Sequence, residues 1–173
     1  MISTMPTDDD LYEQAYQLGR RLHAQGNWLS TAESCTGGWL GKVLTDVPGS
    51  SVWFERGFIT YTNQAKQEML GVSEETLIEF GAVSEPTALE MARGALAKSR
   101  ADFTVAITGI AGPGGATAGK PVGTVWFAWT SALGSNGEFI HSEQHHFQGD
   151  REQIRRQAVQ QALLGVREHC LQG

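Results

Sequence analysis

The segment Ser84–Gly115, "SEPTALEMARGALAKSRADFTVAITGIAGPGG", contains the change of pattern that decides the fold. Its first half reads as a helix. Ser84 is a short polar cap, and Pro86 falls in the first turn, where a missing N–H costs nothing. From Ala101 the composition turns to β-formers: "ADFTVAIT" is a strand apolar enough to be covered on both faces, and it runs directly into the glycine-rich loop "GIAGPGG". Helix, buried strand, glycine loop is the repeating grammar of an α/β sheet.

The same grammar extends outward. Upstream, Leu11, Ala15, Leu18 and Leu22 recur at helical spacing behind the acidic cluster Asp8–Asp10, until Gly26 stops them. "NWLSTAE" is a short strand ending in the glycine pair of "SCTGG", and a helix follows from Trp39 to about Asp46, broken by "VPGSS". "FERGFITYT" alternates as a strand and leads into a short helix capped by Asn63. Downstream, "VGTVWFAWTSA" and "EFIHSEQHHF" are two long strands, with Gly134–Gly137 as the hairpin turn. Asp150 and Gln153 form a capping box for a last helix with Ile154, Ala158, Ala162 and Val166 on one face. With no repeat, linker or low-complexity stretch, residues 1–173 are expected to form a single domain. Early interleaving and a late hairpin predict a three-layer α/β/α sandwich on a mixed β-sheet; strand order does not follow from the pattern.

Composition narrows the partners. A formal charge of −6 over 173 residues is wrong for a protein whose main partner is nucleic acid or an anionic membrane surface, and no apolar run approaches spanning length. The start "MISTMPTDDD" is too polar and acidic for a signal peptide, and Cys35 and Cys170 show no motif spacing, so a reducing cytoplasmic location is expected. The 21 glycines predict several special turns.

Two motifs point elsewhere and fail on physics. "GGATAGKP" (Gly114–Pro121) nearly spells a phosphate-binding loop, but Pro121 replaces the hydroxyl that would hold magnesium and a strand follows instead of a helix. His145 and His146 point to opposite faces of their strand. His141 and His145 share a face, but no cysteine or carboxylate cluster joins them convincingly, so packed or solvated histidines are expected and no metal site.

Two glycine turns remain at strand ends. The first, with Ser34, Thr36, Gly37 and Gly38, opens a helix and offers backbone N–H groups to an anion. The second, with Thr108, Gly109 and Gly112, brings backbone close to a ligand. Either turn can equally be needed for packing alone; two at separate strand ends favour a pocket at one edge of the sheet. Lys66 then stands out, because it falls in the first turn of its helix, where the dipole favours acids. A lysine destabilised there, and partly buried, can act as a base towards a serine hydroxyl, with Ser51 in the preceding turn as nucleophile and Tyr61 as proton relay. The plain alternative is a surface lysine, a core tyrosine and a turn-capping serine; spacing alone does not choose.

Together "AESCTGG", "PGSSVWFERGFITYTNQAK", "GAVSEP", "TGIAGPGG" and "KPVGTVWFA", in this order along nearly the whole chain, resemble the C-terminal domain of the CinA family. The resemblance implies an amidohydrolase that deamidates nicotinamide mononucleotide to nicotinate mononucleotide and ammonia in pyridine nucleotide salvage. It implies a serine–lysine mechanism assisted by tyrosine, carried over by motif onto Ser51, Tyr61 and Lys66, with no cofactor and a homodimeric state. The phosphate of such a substrate needs an anchor, for which the "TGG" helix start and Arg151 are the candidates. A nucleotide-binding module without chemistry, and a serine amidase for another small amide, are the rival readings.

Overall fold

The computed structural model describes residues 4–132 and 138–171. In chain order the elements are α1 (Asp8–Gln25), β1 (Leu29–Glu33), α2 (Trp39–Thr45), a 3-10 turn (Ser50–Val52), β2 (Phe54–Ile59), α3 (Asn63–Leu70), α4 (Glu74–Phe80), α5 (Glu85–Ala97), β3 (Phe103–Gly109), β4 (Thr124–Ser131), β5 (Phe139–His146), α6 (Arg151–Gly165) and a terminal π turn (Val166–Cys170). Five strands form one mixed sheet in the order β2-β1-β3-β4-β5. Strand β1 is parallel to both its neighbours, while β4 runs antiparallel to β3 and β5. The α/β class and the mixed sheet expected from the sequence are observed.

Because β2 and β3 lie on opposite sides of β1, right-handed crossovers must place the intervening helices on opposite faces. Helices α1, α2 and α6 pack together on one face, and α3, α4 and α5 on the other. The two faces differ in side-chain size. Phe103, Val105 and Ile107 of β3 and Val125, Phe127 and Trp129 of β4 fill the first core. On the other face Ala32, Ala106 and Ala128 stand in register across three strands, a row of small side chains under Ala88, Met91, Ala92 and Ala95 of α5.

Helix α5 also fixes α3, the helix carrying Lys66. A Cβ built on Gly94 would lie 1.9 Å from the carbonyl oxygen of Leu70, the last residue of α3. Helix propensity favours alanine over glycine by about 1 kcal/mol, but a backbone clash of this size cannot be relieved by a side-chain rotation. Gly94→Ala is therefore expected to destabilise by about 3 kcal/mol and to lower Tm by roughly 6–12 °C. A thermal melt matching the wild type would show that α3 and α5 do not make this contact.

The predicted caps at Ser84 and Asp150 form, the latter as a reciprocal capping box with Gln153. The cap of α3 is Thr62, whose Oγ1 accepts from the Ala65 N–H at 3.1 Å; Asn63 is the first helical residue instead of the cap. Helix α4 was not anticipated, because Leu77 is its only buried residue and so it has almost no apolar stripe to read. The hairpin turn expected at Gly134–Gly137 lies outside the described residues, but the strands flanking it pair from Thr124↔His146 to Ser131↔Phe139.

Candidate active site

The parallel strands β1, β2 and β3 end along one edge of the sheet, where Glu33 stands level with Ile59 and Ile107. The chain passes from β1 to β2 on one side and then crosses from β2 to β3 on the other side of β1, and such a switch point opens a crevice beyond the strand ends. A cleft of about 190 Å³ lies there, lined among others by Ser34, Tyr61, Lys66, Thr108, Gly109 and Arg151.

Lys66 reaches into this cleft from the first turn of α3, and only 1 % of its surface is exposed. Its Nζ lies 2.9 Å from Ser34 Oγ and 2.8 Å from the carbonyl oxygen of Thr60, both uncharged partners. Burial without a compensating carboxylate disfavours the ammonium, and the pKa falls from 10.5 to about 8. The contact to Ser34 serves either protonation state: the ammonium donates to the hydroxyl, and the neutral amine accepts from it.

Ser34 follows β1 directly, and its N–H still continues the sheet by donating to Ile107 O at 3.0 Å. Gly37 and Gly38, at φ 57° and 101°, then turn the chain through left-handed conformations into α2. The turn is held from two sides. The buried Glu33 carboxylate accepts from Thr36 Oγ1 (2.6 Å) and Leu40 N (2.9 Å) through Oε1, and from Gly41 N (3.0 Å) through Oε2. Arg155 donates to the carbonyl oxygens of Cys35 and Thr36. Glu33 was missed by the sequence reading. The helix start that reads as an anion site already has its anion, supplied by the residue before Ser34.

That arrangement corrects several expectations. Thr36, Gly37 and Gly38 build the turn and do not line the cleft. Gly112 contributes its carbonyl oxygen, which accepts from Arg151 Nη1 at 2.6 Å. Thr108 lines the cleft while its Oγ1 donates to Ala82 O at 2.7 Å, tying the loop before α5 to the end of β3. Tyr61, 59 % exposed, is no core residue; its hydroxyl oxygen accepts from Arg151 Nη2 at 3.0 Å at the mouth of the cleft.

Ser51 is elsewhere. It sits in the 3-10 turn before β2, whereas Lys66 lies beyond the other end of that strand. Six strand residues at about 3.3 Å each separate the two ends by roughly 20 Å. Ser51 is exposed in a different groove with Trp28, Phe54, Glu55 and Arg100, and among the described residues no lysine or histidine lines that groove. The lysine's serine partner is Ser34. Sequence spacing hid this pairing because parallel strands bring together residues 32 positions apart.

Cys35, the other nucleophilic side chain lining the cleft, is buried, and burial reinforced by the Glu33 charge pushes its thiol up to about 12. It remains an uncharged thiol and a poor competitor. Among the described residues Lys66 and Arg151 are the cations of the cleft lining and no carboxylate lines it, on a chain whose formal charge is −6. An anionic ligand is attracted here against the charge of the whole molecule.

The histidine expectation also needs correction. Glu143 does join His141, His145 and His169, each of which has its Nε2 within 3.1 Å of the carboxylate. Strand β5 supplies the first two histidines and the terminal π turn the third, so sequence distance concealed the cluster.

The family model for the CinA C-terminal domain matches residues 12–170. The chain is 54% identical to the nicotinamide-nucleotide amidohydrolase PncC of Escherichia coli (strain K12) over 166 residues, covering 96% of this chain and 98% of that protein. It is 47% identical over 158 residues to the protein of the same name from Pseudomonas putida, covering 91% and 96%. Among solved structures it is similar to the competence/damage inducible protein CihA of Agrobacterium tumefaciens, with a TM-score of 0.85, 47% identity, and coverage of 96% of this chain and 98% of that one.

Proposed function

The chain belongs to the CinA C-terminal domain family, and from that membership together with the contents of its cleft we propose that it is a serine amidohydrolase. Its substrate in this reading is nicotinamide mononucleotide, which it converts to nicotinate mononucleotide and ammonia. The observation that carries the reading is the buried 2.9 Å contact between Lys66 Nζ and Ser34 Oγ, a base and a nucleophile in hydrogen-bonding reach with no carboxylate to hold the lysine charged.

Neutral Lys66 removes the Ser34 proton as Oγ attacks the carboxamide carbon, giving a tetrahedral intermediate. We assign its oxyanion to the backbone N–H of Cys35, which follows the nucleophile directly and lines the cleft. The lysine then returns the proton to the leaving nitrogen, the C–N bond breaks and ammonia departs. Water attacks the acyl-enzyme with Lys66 again as base, and nicotinate mononucleotide leaves. Arg151 holds Tyr61 by its oxygen, so the phenol proton is free to face the cleft and assist the leaving nitrogen. The same guanidinium is the phosphate anchor in this reading, since Glu33 already occupies the start of α2. The homodimeric state suggested by the family resemblance and the cytoplasmic location expected from the sequence both belong to this proposal. No helix among the described residues is long and apolar enough to cross a membrane.

Ammonia release from nicotinamide mononucleotide, free nicotinamide and simple aliphatic amides tests the reading. Strong preference for the nucleotide is expected. Equal rates on free nicotinamide indicate a broader amidase, and nucleotide binding without ammonia indicates a module that lacks the chemistry. Prior treatment with a chelator is expected to leave kcat unchanged, because the proposed steps need only Ser34, Lys66 and backbone donors. Activity lost on chelation while circular dichroism and Tm stay unchanged, and restored by added zinc or magnesium, would replace the serine mechanism with a metal-activated water.

A further inference from the structure

We propose that His141, Glu143 and His169 form a binding site for one divalent transition-metal ion of the zinc class, distinct from the catalytic cleft. Residues 141, 143 and 145 share one face of β5, as alternate strand positions must. Across from that face lie Gln161 of α6 and His169 of the π turn.

The two oxygens of Glu143 have separate tasks. Oε2 accepts from His145 Nε2 at 2.9 Å and from Gln161 Nε2 at 3.2 Å. Oε1 faces both His141 Nε2 and His169 Nε2, each at 3.1 Å. One ligand atom from each of His141, Glu143 and His169 therefore lies within 4.8 Å of the others. A tetrahedral ion with ligand bonds of about 2.0–2.2 Å needs its ligand atoms roughly 3.3–3.5 Å apart. Two of the three edges are already near that length, and the third is no longer than 4.8 Å.

Those rings are held for the purpose. Their centroids are 4.1 Å apart, and both lie against Trp129, at 6.0 Å for His141 and 5.0 Å for His169. His145 and Gln161 fix the carboxylate from its far side, as outer groups do for a metal-ligating carboxylate. Two imidazoles with one carboxylate oxygen select zinc, cobalt or nickel over calcium or magnesium, which prefer all-oxygen shells. Three protein ligands leave a position for water, and the side chains are 19–39% exposed, so the ion can enter from solvent.

The site's role is mechanical. Strand β5 is three strands from β1, roughly 15 Å at ordinary strand spacing, so the ion is remote from the strand that leads to Ser34. It would instead clamp the C-terminal π turn to an edge strand.

The test uses the full chain, stripped with a chelator and titrated with zinc at neutral pH. Calorimetry should show one ion per chain with micromolar or tighter affinity, and Tm should rise with zinc. In NMR spectra the ring signals of His141 and His169 should move, while those of His23 and His146 stay in place. Glu143→Gln and His169→Ala should each weaken binding by roughly tenfold or more, and Ser34→Ala should bind zinc as the wild type does. Glu143 is central to a hydrogen-bond cluster, so its variant can fold poorly; the visible spectrum of the wild-type protein with cobalt(II), showing nitrogen and oxygen ligands in four-coordination, is the independent check. No binding in the micromolar range, affinity undiminished in His169→Ala, or movement confined to His23 and His146 would each overturn the site.

Discussion

Ser34→Ala should abolish amide hydrolysis, lowering kcat by roughly three to six orders of magnitude, as removal of a covalent nucleophile does when its base remains in place. Ser51→Ala, a substitution in an exposed turn beyond the far end of β2, should stay within about twofold of the wild type, since it touches neither the cleft nor Lys66. The pair of variants separates the two serines because they lie at opposite ends of one strand. Ser34→Ala also removes a hydrogen bond from Lys66, at a cost of about 1 kcal/mol, which a stable domain tolerates. Intact circular dichroism, retained binding of nicotinate mononucleotide and absent ammonia would together assign Ser34 the chemical step. Near-normal turnover in Ser34→Ala, or its loss in Ser51→Ala, would move the nucleophile and dissolve the mechanism proposed above.

The contrast between these serines shows how far a sequence could be read here. Elements with strong local signals were legible: Pro86 just after the Ser84 cap, the capping box at Asp150–Gln153, and the uninterrupted apolar run of β3. Lys66 was legible as an anomaly, because a cation in a first helical turn opposes the dipole and so asks for an explanation. Its partner was not, because pairing across parallel strands leaves no trace in local spacing. Ser51, fifteen positions upstream, looked near in sequence, but strand β2 carries the chain away between them. Glu33 illustrates a different limit. A glycine turn opening a helix advertises free N–H groups, and only the fold reveals that Glu33, on the strand before the turn, accepts from those of Leu40 and Gly41. Strand order had the same character: β1 lies inside the sheet because of long-range packing, and the cleft exists because of that order.

Lys66→Met should be as inactive as Ser34→Ala and yet no less stable than the wild type at pH 7, a combination that follows from the lysine's burial. In the unfolded chain the amine titrates at 10.5, and in the fold at about 8. Below pH 8 both states are protonated, and folding must bury an ammonium. Above 10.5 both are neutral and the penalty is gone. The lysine's contribution to stability therefore increases as pH rises from 8 to 10.5, by about 3 kcal/mol at 1.36 kcal/mol per unit. Methionine fills similar space and carries no charge, so at pH 7 it escapes this penalty, offsetting the hydrogen bonds lost at Ser34 and Thr60. At pH 10 and above the wild type recovers its disadvantage and the order of stabilities should reverse or close. The same titration governs rate: kcat/KM should rise with pH along an acidic limb with an apparent pKa near 8, where Lys66 becomes a base. Lys66→Arg keeps the charge, cannot deprotonate and forces a larger cation into a site only 1 % exposed, so it should be both inactive and less stable. Urea melts at pH 7 and 10 with matched pH–rate profiles measure all of this. Substantial turnover in the arginine variant, or a wild-type acidic limb well below neutrality, would mean that Lys66 acts as a fixed positive charge, and the proton of Ser34 would need another acceptor.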